Sequence, residues 1–420
     1  MRPLFAAGLA ALACLSAAAL GAEPSRKPLP GQIIVNPDNP AWLVRYDATG
    51  RHKPFFLCGP GDPEGFLYRG KRRADGTRDG DQMKLIEKLA PTGANCIYLM
   101  AVRSHGGDGD RSHNPFVDND PKRGLNKKVL DQWERWFAAM DRARIVIYFF
   151  FYDDSARIWN TGHRVDEAER RFLQGLVGRF KHHTHLIWCV AEEYQERFSA
   201  KRVSAIAAAI RKADEHRHPI AVHKLSGLSF REFADDANID QFAIQYNVKT
   251  PAALHAGVVK AFREAKGRYS LNLSEVAQHG TGRTARLNSW AAAMGGAYVM
   301  VLRMDIAGTA KGDLEDCGRL VRFFESTDVH NMAPHDGLAA ADTQYVLAKP
   351  GRSYIAYSSK RRDKLGLKTM TAGTYDLTWL DCAAGRRVEQ RQVKVAAGEQ
   401  AWPAPAGIGK EVALYARRTK

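Results

Sequence analysis

The sequence predicts an α/β protein, a (β/α)8 barrel followed by a small antiparallel β-sandwich, and three observations carry that prediction. From Phe55 onward, short apolar runs alternate with longer segments of helical period, the pattern of βα units on a parallel sheet. About eight such runs occur, the number a closed barrel requires. After about Thr343 the pattern changes to short alternating strands separated by turn residues such as Gly373, Asp381 and Gly385, which fits a sandwich.

The barrel strands are predicted at Phe55–Cys58, Cys96–Met100, Ile145–Phe151, Leu186–Val190, Ile220–His223, Phe242–Tyr246, Tyr269–Leu273 and Ala297–Leu302. Between them, Leu125, Val129, Leu130, Trp133, Trp136, Phe137 and Met140 recur at helical spacing with charged residues interposed, so they form one buried face. Phe172, Leu173, Leu176, Val177 and Phe180 repeat that pattern before the fourth strand, and Val203, Ile206 and Ile210 before the fifth. An open doubly wound sheet is the alternative, but its Gly-rich nucleotide fingerprint is missing after the first strand. Tail strands are expected at Tyr345–Leu347, Tyr354–Tyr357, Tyr375–Leu380, Val388–Val395 and Val412–Ala416.

The 420 residues exceed one ordinary core, so a large and a smaller domain are expected. Arg2, the Ala-rich apolar run Leu4–Leu20 and the small residues up to Ala22 read as a secretory signal peptide, giving a secreted or periplasmic protein. The chain then divides into a signal at 1–22, a barrel domain at 30–340 and a sandwich at 343–420. No later segment is long enough to span a bilayer.

The formal charge of +16 favours anionic partners in general, but Lys and Arg are scattered. No basic stretch is interleaved with aromatics, which argues against nucleic acid. Six cysteines include Cys14, which leaves with the signal. Cys58, Cys96 and Cys189 sit in apolar runs as small buried hydrophobes. No CxxC or Cys/His pattern points to structural zinc, and neither a metal nor a cofactor is expected. The oxygen-rich loop Ser104–Asp110 lacks EF-hand spacing and reads as a rim-shaping loop.

Barrel chemistry stands at the carboxyl ends of strands. The fourth strand runs straight into Glu192 and Glu193, and the seventh into Glu275. Two carboxyls meeting across a barrel mouth at about 5–5.5 Å are what retaining glycoside hydrolysis needs, one attacking the anomeric carbon and one protonating the leaving oxygen. Asp62 and Glu64, Tyr152, Asp153 and Asp154, His223, and Asp305 also follow strand ends and are expected to line sugar subsites. The expected substrate is a poly- or oligosaccharide, an anionic one included. A non-catalytic carbohydrate- or matrix-binding protein on the same scaffold is the alternative, and oligomeric state stays open.

On Ile187-Trp188-Cys189-Val190-Ala191-Glu192-Glu193 and Ser274-Glu275, the chain resembles the retaining (β/α)8 glycoside hydrolases of clan A, including the family-five cellulases, and more loosely the apiosidase-like barrels. The resemblance implies Glu275 as nucleophile and Glu193 as acid/base, with Glu192 where the clan has Asn. That departure leaves open which of the two is the acid. It further implies that Tyr246 orients the nucleophile and that Arg103 supports it, or else pairs with a loop acid. The clan's strand-eight tryptophan is not evident in Val299–Asp305. Asn39–Val44, Lys53–Gly59 and Gly373–Trp379 resemble the apiosidase-like proteins, whose tail sandwich is described as collagen-binding. Here the tail is expected either to brace the barrel or to bind a ligand.

Overall fold

A computed structural model describes residues 27–276 and 279–420, so the expected signal segment lies outside the described residues. The barrel strands are β1 (Cys58–Pro60), β2 (Cys96–Met100), β3 (Val146–Tyr152), β4 (Leu186–Ala191), β5 (Ile220–Lys224), β6 (Gln241–Gln245), β7 (Ser270–Glu275) and β8 (Ala297–Val301). They form one parallel sheet in the order β1-β8-β7-β6-β5-β4-β3-β2. Strands covered on both faces read as unbroken apolar runs, and β3, entirely buried as Val-Ile-Tyr-Phe-Phe-Phe-Tyr, is the extreme case.

The remaining seam, between β1 and β2, closes through one side chain and one glycine. The Asn95 amide accepts from the Cys58 N–H at 2.9 Å and donates to the Phe56 carbonyl at 2.8 Å, while the Asn95 N–H donates to the Cys58 carbonyl at 3.0 Å. A Cβ on Gly59 would lie 2.7 Å from the Cys96 backbone nitrogen and oxygen. Only a residue without a side chain lets the two strands approach this closely.

Helices α1 (Gln82–Leu89), α2 (Lys127–Arg142), α3 (Glu167–Phe180), α4 (Ala200–Ala213), α5 (Pro251–Ala265), α6 (Gly282–Met294) and α7 (Lys311–Glu325) follow seven of the strands. Their starts are written locally. Asn126 caps α2, Asp166 α3, Ser199 α4 and Thr250 α5, each side chain accepting from a backbone N–H of the first turn. The β5–β6 connection has only a 3-10 turn, Arg231–Phe233, and there Phe230 stacks on Phe242 at 4.1 Å in place of a helix.

A three-stranded antiparallel ribbon (Ile33–Val35, Leu43–Arg45, Lys53–Pro54) precedes the barrel. The tail contains β9 (Ala333–Pro334), β10 (Ala339–Ala341), β11 (Tyr345–Lys349), β12 (Ser353–Ser358), β13 (Lys364–Met370), β14 (Gly373–Asp381), β15 (Arg387–Val395), β16 (Gly398–Pro403) and β17 (Val412–Arg418). A six-stranded antiparallel sheet, β9-β11-β12-β17-β14-β15, packs on a three-stranded sheet, β10-β13-β16. The sequence reading did not anticipate the smaller sheet, because its strands carry few apolar residues between glycines and charges.

The six-stranded sheet has two apolar faces. Val346, Tyr354, Ala356 and Trp379 pack on Leu365 and Leu367 of the small sheet. Leu347, Ile355, Tyr357 and Tyr415 join the barrel core instead. Trp290 of α6 stacks on Tyr357 with ring centroids 5.0 Å apart and planes 5° apart. Beside this stack Arg286 pairs with Asp316 at 2.9 Å and with Glu411 of the tail at 2.8 Å. All five described cysteines are buried and free.

Candidate active site

β4 delivers two adjacent glutamates in different environments. Glu192 is buried at the floor of the mouth, where the Tyr98 hydroxyl donates to its Oε1 at 2.8 Å. Burial, followed by the negative charges of Glu64 and Asp153, pushes its carboxyl well above the usual range. Glu193 stands next to it, half-buried, with φ of 33° and ψ of 47°. A non-glycine residue in the left-handed region is strained unless its surroundings hold it. Here the Glu193 N–H donates to His223 Nδ1 at 3.0 Å, which fixes the turn. Burial and the facing Glu275 push the Glu193 carboxyl up to about 7, and a hydrogen bond from Gln245 opposes this.

Glu275 ends β7. The Gln245 Nε2 donates to Glu193 Oε1 at 2.7 Å and also to Glu275 Oε2. One amide nitrogen therefore touches both carboxylates, and their facing oxygens stand no farther apart than two hydrogen bonds end to end. Burial raises the Glu275 carboxyl above its ordinary value, opposed by Gln245 and reinforced by Asp62 and Asp154.

His223 of β5 is fully buried, and burial pushes its pKa down to about 3, so the ring is neutral. Because Nδ1 accepts from Glu193, the single ring proton sits on Nε2. That nitrogen faces Glu275 Oε1 at 3.7 Å and has no hydrogen-bond partner among the described residues. Glu192, His223 and Glu275 converge closely enough to suggest a metal cage. A protonated Nε2 offers no lone pair, so this trio does not suit a metal.

Arg103 does not lie on Glu275. Its Nε donates to Asp153 Oδ2 at 3.1 Å and its Nη2 lies 3.5 Å from Glu64 Oε2, so it takes the loop-acid role. Glu64 is pushed up to about 7 by burial, against the opposing Arg103. Asp153 accepts from Arg103 and from the Asp108 and Asp154 N–H groups, which makes it a scaffold for the rim loop. Asp154 groups with Glu193 and Glu196 at the rim. On the β1/β8 side stand Asp62 and Asp305. Burial and then Asp305 raise the Asp62 carboxyl, while the Asp305 carboxylate caps its own turn by accepting from the Gly308 N–H at 2.8 Å.

Two expected residues face away from the mouth. Tyr246 lies one residue past Gln245, and side chains along a strand alternate between faces, so its ring turns outward; a Cβ on Gly257 of α5 would sit 2.4 Å from it. Gln245 takes the inward position instead. Tyr152 is buried on the helix side of β3, where its hydroxyl donates to Glu169 at 2.7 Å beside the Glu169–Arg202 ion pair. It lines no subsite. Sequence reasoning missed Gln245 and Tyr98, and the signal for both was a hydrogen-bonding side chain at an inward position of an apolar strand.

No family model matches the sequence, and no curated protein matches it. Among solved structures, a chain described as a glycoside hydrolase superposes with a TM-score of 0.67 at 12% identity, covering 94% of this chain and 99% of that one. A glycoside hydrolase family 5 protein from Bacteroides vulgatus ATCC 8482 superposes with a TM-score of 0.67 at 12% identity, covering 95% and 96%. The chain shares its fold with these proteins. The coverage extends over barrel and sandwich together, and at this identity the likeness concerns architecture.

Proposed function

We propose that the protein is an exported glycoside hydrolase that cleaves a poly- or oligosaccharide by retaining double displacement, with Glu275 as nucleophile and Glu193 as acid/base. The observation that carries this reading is the single Gln245 nitrogen held between the two carboxylates. Two hydrogen bonds to one nitrogen limit the gap between the facing oxygens, which supports the short separation, about 5–5.5 Å, used in retention. In the first step Glu275 attacks the anomeric carbon while Glu193 gives its proton to the leaving oxygen. In the second, Glu193 takes a proton from water, which displaces the sugar from Glu275.

Glu193 suits the acid role better than Glu192. It is half-buried, with a pKa of about 7, whereas Glu192 lies beneath the mouth with Oε1 taken by Tyr98. Glu192, kept protonated, retains one O–H donor at the position where the resemblance places an amide. Carboxyls of Asp62, Glu64, Asp154, Glu193 and Glu275 stand at the opening, and Arg103 is taken up by Glu64 and Asp153, so the net charge of +16 does not concentrate there. The favoured substrate is therefore an uncharged saccharide.

The division into a signal at 1–22, a catalytic unit at 30–340 and a sandwich at 343–420 belongs to the same reading, with the sandwich bracing the barrel. Among the described residues no helix is long and apolar enough to cross a membrane. Sugar release from a panel of neutral polysaccharides tests the proposal. The wild type releases reducing sugar, and Glu275→Ala keeps its thermal midpoint while losing at least about a thousandfold in rate. Equal release by both would remove Glu275 from the reaction.

A further inference from the structure

On the opposite face of the barrel, the run Lys181-His182-His183-Thr184-His185 joins α3 to β4. His183 is 2% exposed, and its Nε2 lies 3.3 Å from Glu134 Oε1 of α2 yet makes no hydrogen bond among the described residues. His182 approaches the same oxygen from the solvent side, with its Nε2 at 2.9 Å. Two imidazole nitrogens therefore converge on one carboxylate oxygen, and one of them is buried without a partner.

The outer groups orient these ligands. His183 Nδ1 points towards Asp141 Oδ2 at 3.9 Å. Asp141 itself is held by His185, whose N–H donates to Oδ1 at 2.8 Å and whose Nδ1 lies 2.9 Å from the same oxygen. The Asp141 carboxylate thus faces the Nδ1 edge of the His183 ring while the Nε2 edge faces Glu134, the side of the ring on which a carboxylate orients a histidine ligand. Arg179 lies 3.5 Å from the other Glu134 oxygen, Oε2, so Oε1 is left for the histidines.

We propose that Glu134, His182 and His183 bind one divalent transition-metal ion of the zinc class, with Asp141 orienting His183. Tetrahedral zinc, with bonds of about 2.0–2.2 Å, sets its ligand atoms about 3.3–3.5 Å apart. The His183–Glu134 separation already matches, the His182–Glu134 one at 2.9 Å is a few tenths of an ångström short, and all three ligand atoms lie within 4.8 Å of one another. The fourth position opens to solvent. Such an ion would tie α2 to the segment entering β4.

The test uses the full chain stripped with a chelator and then dialysed against Zn²⁺ alone. One ion per chain is expected. His182→Ala at the surface and the isosteric Glu134→Gln should each weaken binding at least about tenfold with circular dichroism unchanged. Glu275→Gln should bind as the wild type does. The proposal is overturned if no stoichiometric zinc is retained, if folded His182→Ala and Glu134→Gln proteins bind undiminished, or if Glu275→Gln abolishes binding and so places the ion in the mouth.

Discussion

At the scale of single residues, the proposed chemistry rests on two neighbouring glutamates being made different. Glu192 sits over Tyr98 in a dry floor, while Glu193, one residue on, is turned by a left-handed backbone into the mouth. The identity of the pair was readable as a strand-end signal, but their division of labour was not, because it depends on burial and on His223 from another strand. A general acid must be protonated to act, and Glu193 loses its proton as pH rises through about 7. The rate in kcat/KM should therefore fall above about pH 7, and Glu193→Gln should abolish that alkaline limb with a loss of about 10²–10⁴-fold on substrates with poor leaving groups. A pH–rate profile of both proteins checks this. An alkaline limb that persists in the variant would assign it to another group.

At the scale of elements, the three helical runs read from the apolar periodicity and all eight barrel strands are found, with ends displaced by a few residues. The resemblance put Tyr246 beside the nucleophile, but alternation along β6 points Gln245 into the mouth and the Tyr246 ring outward against α5. Closure of the barrel was also illegible, since nothing local marks Gly59 as the point where β1 meets β2. Gly59→Ala would press a methyl group into the Cys96 backbone, and urea unfolding should show a loss of about 1–3 kcal/mol. An unchanged midpoint would mean that the seam is looser than described.

For the whole molecule, the tail behaves as part of the barrel's packing and not as an appended module. Its larger sheet shares the barrel core through Leu347, Ile355 and Tyr357, and Trp290 and Arg286 reach across to it. The change in strand pattern after about Thr343 was visible in the sequence, but the docking was not, because Leu347 and Ile355 look like ordinary sandwich residues until a second apolar face is seen. Trp290→Ala should cost about 3–5 kcal/mol, and calorimetry should show barrel and sandwich still melting in one transition at lower temperature. Two separate transitions in the wild type would contradict a shared core.

The central claim is that β4 and β7 bring Glu193 and Glu275 onto one glycosidic bond, with Glu275 carrying the sugar between steps. Peptide mass analysis after incubation with activated 2-deoxy-2-fluoro glycosides of neutral sugars tests it most directly. The account predicts one sugar attached to Glu275 in the wild type and none in Glu275→Gln. Turnover with a sugar on another residue, or release of product with inverted anomeric configuration, would contradict it.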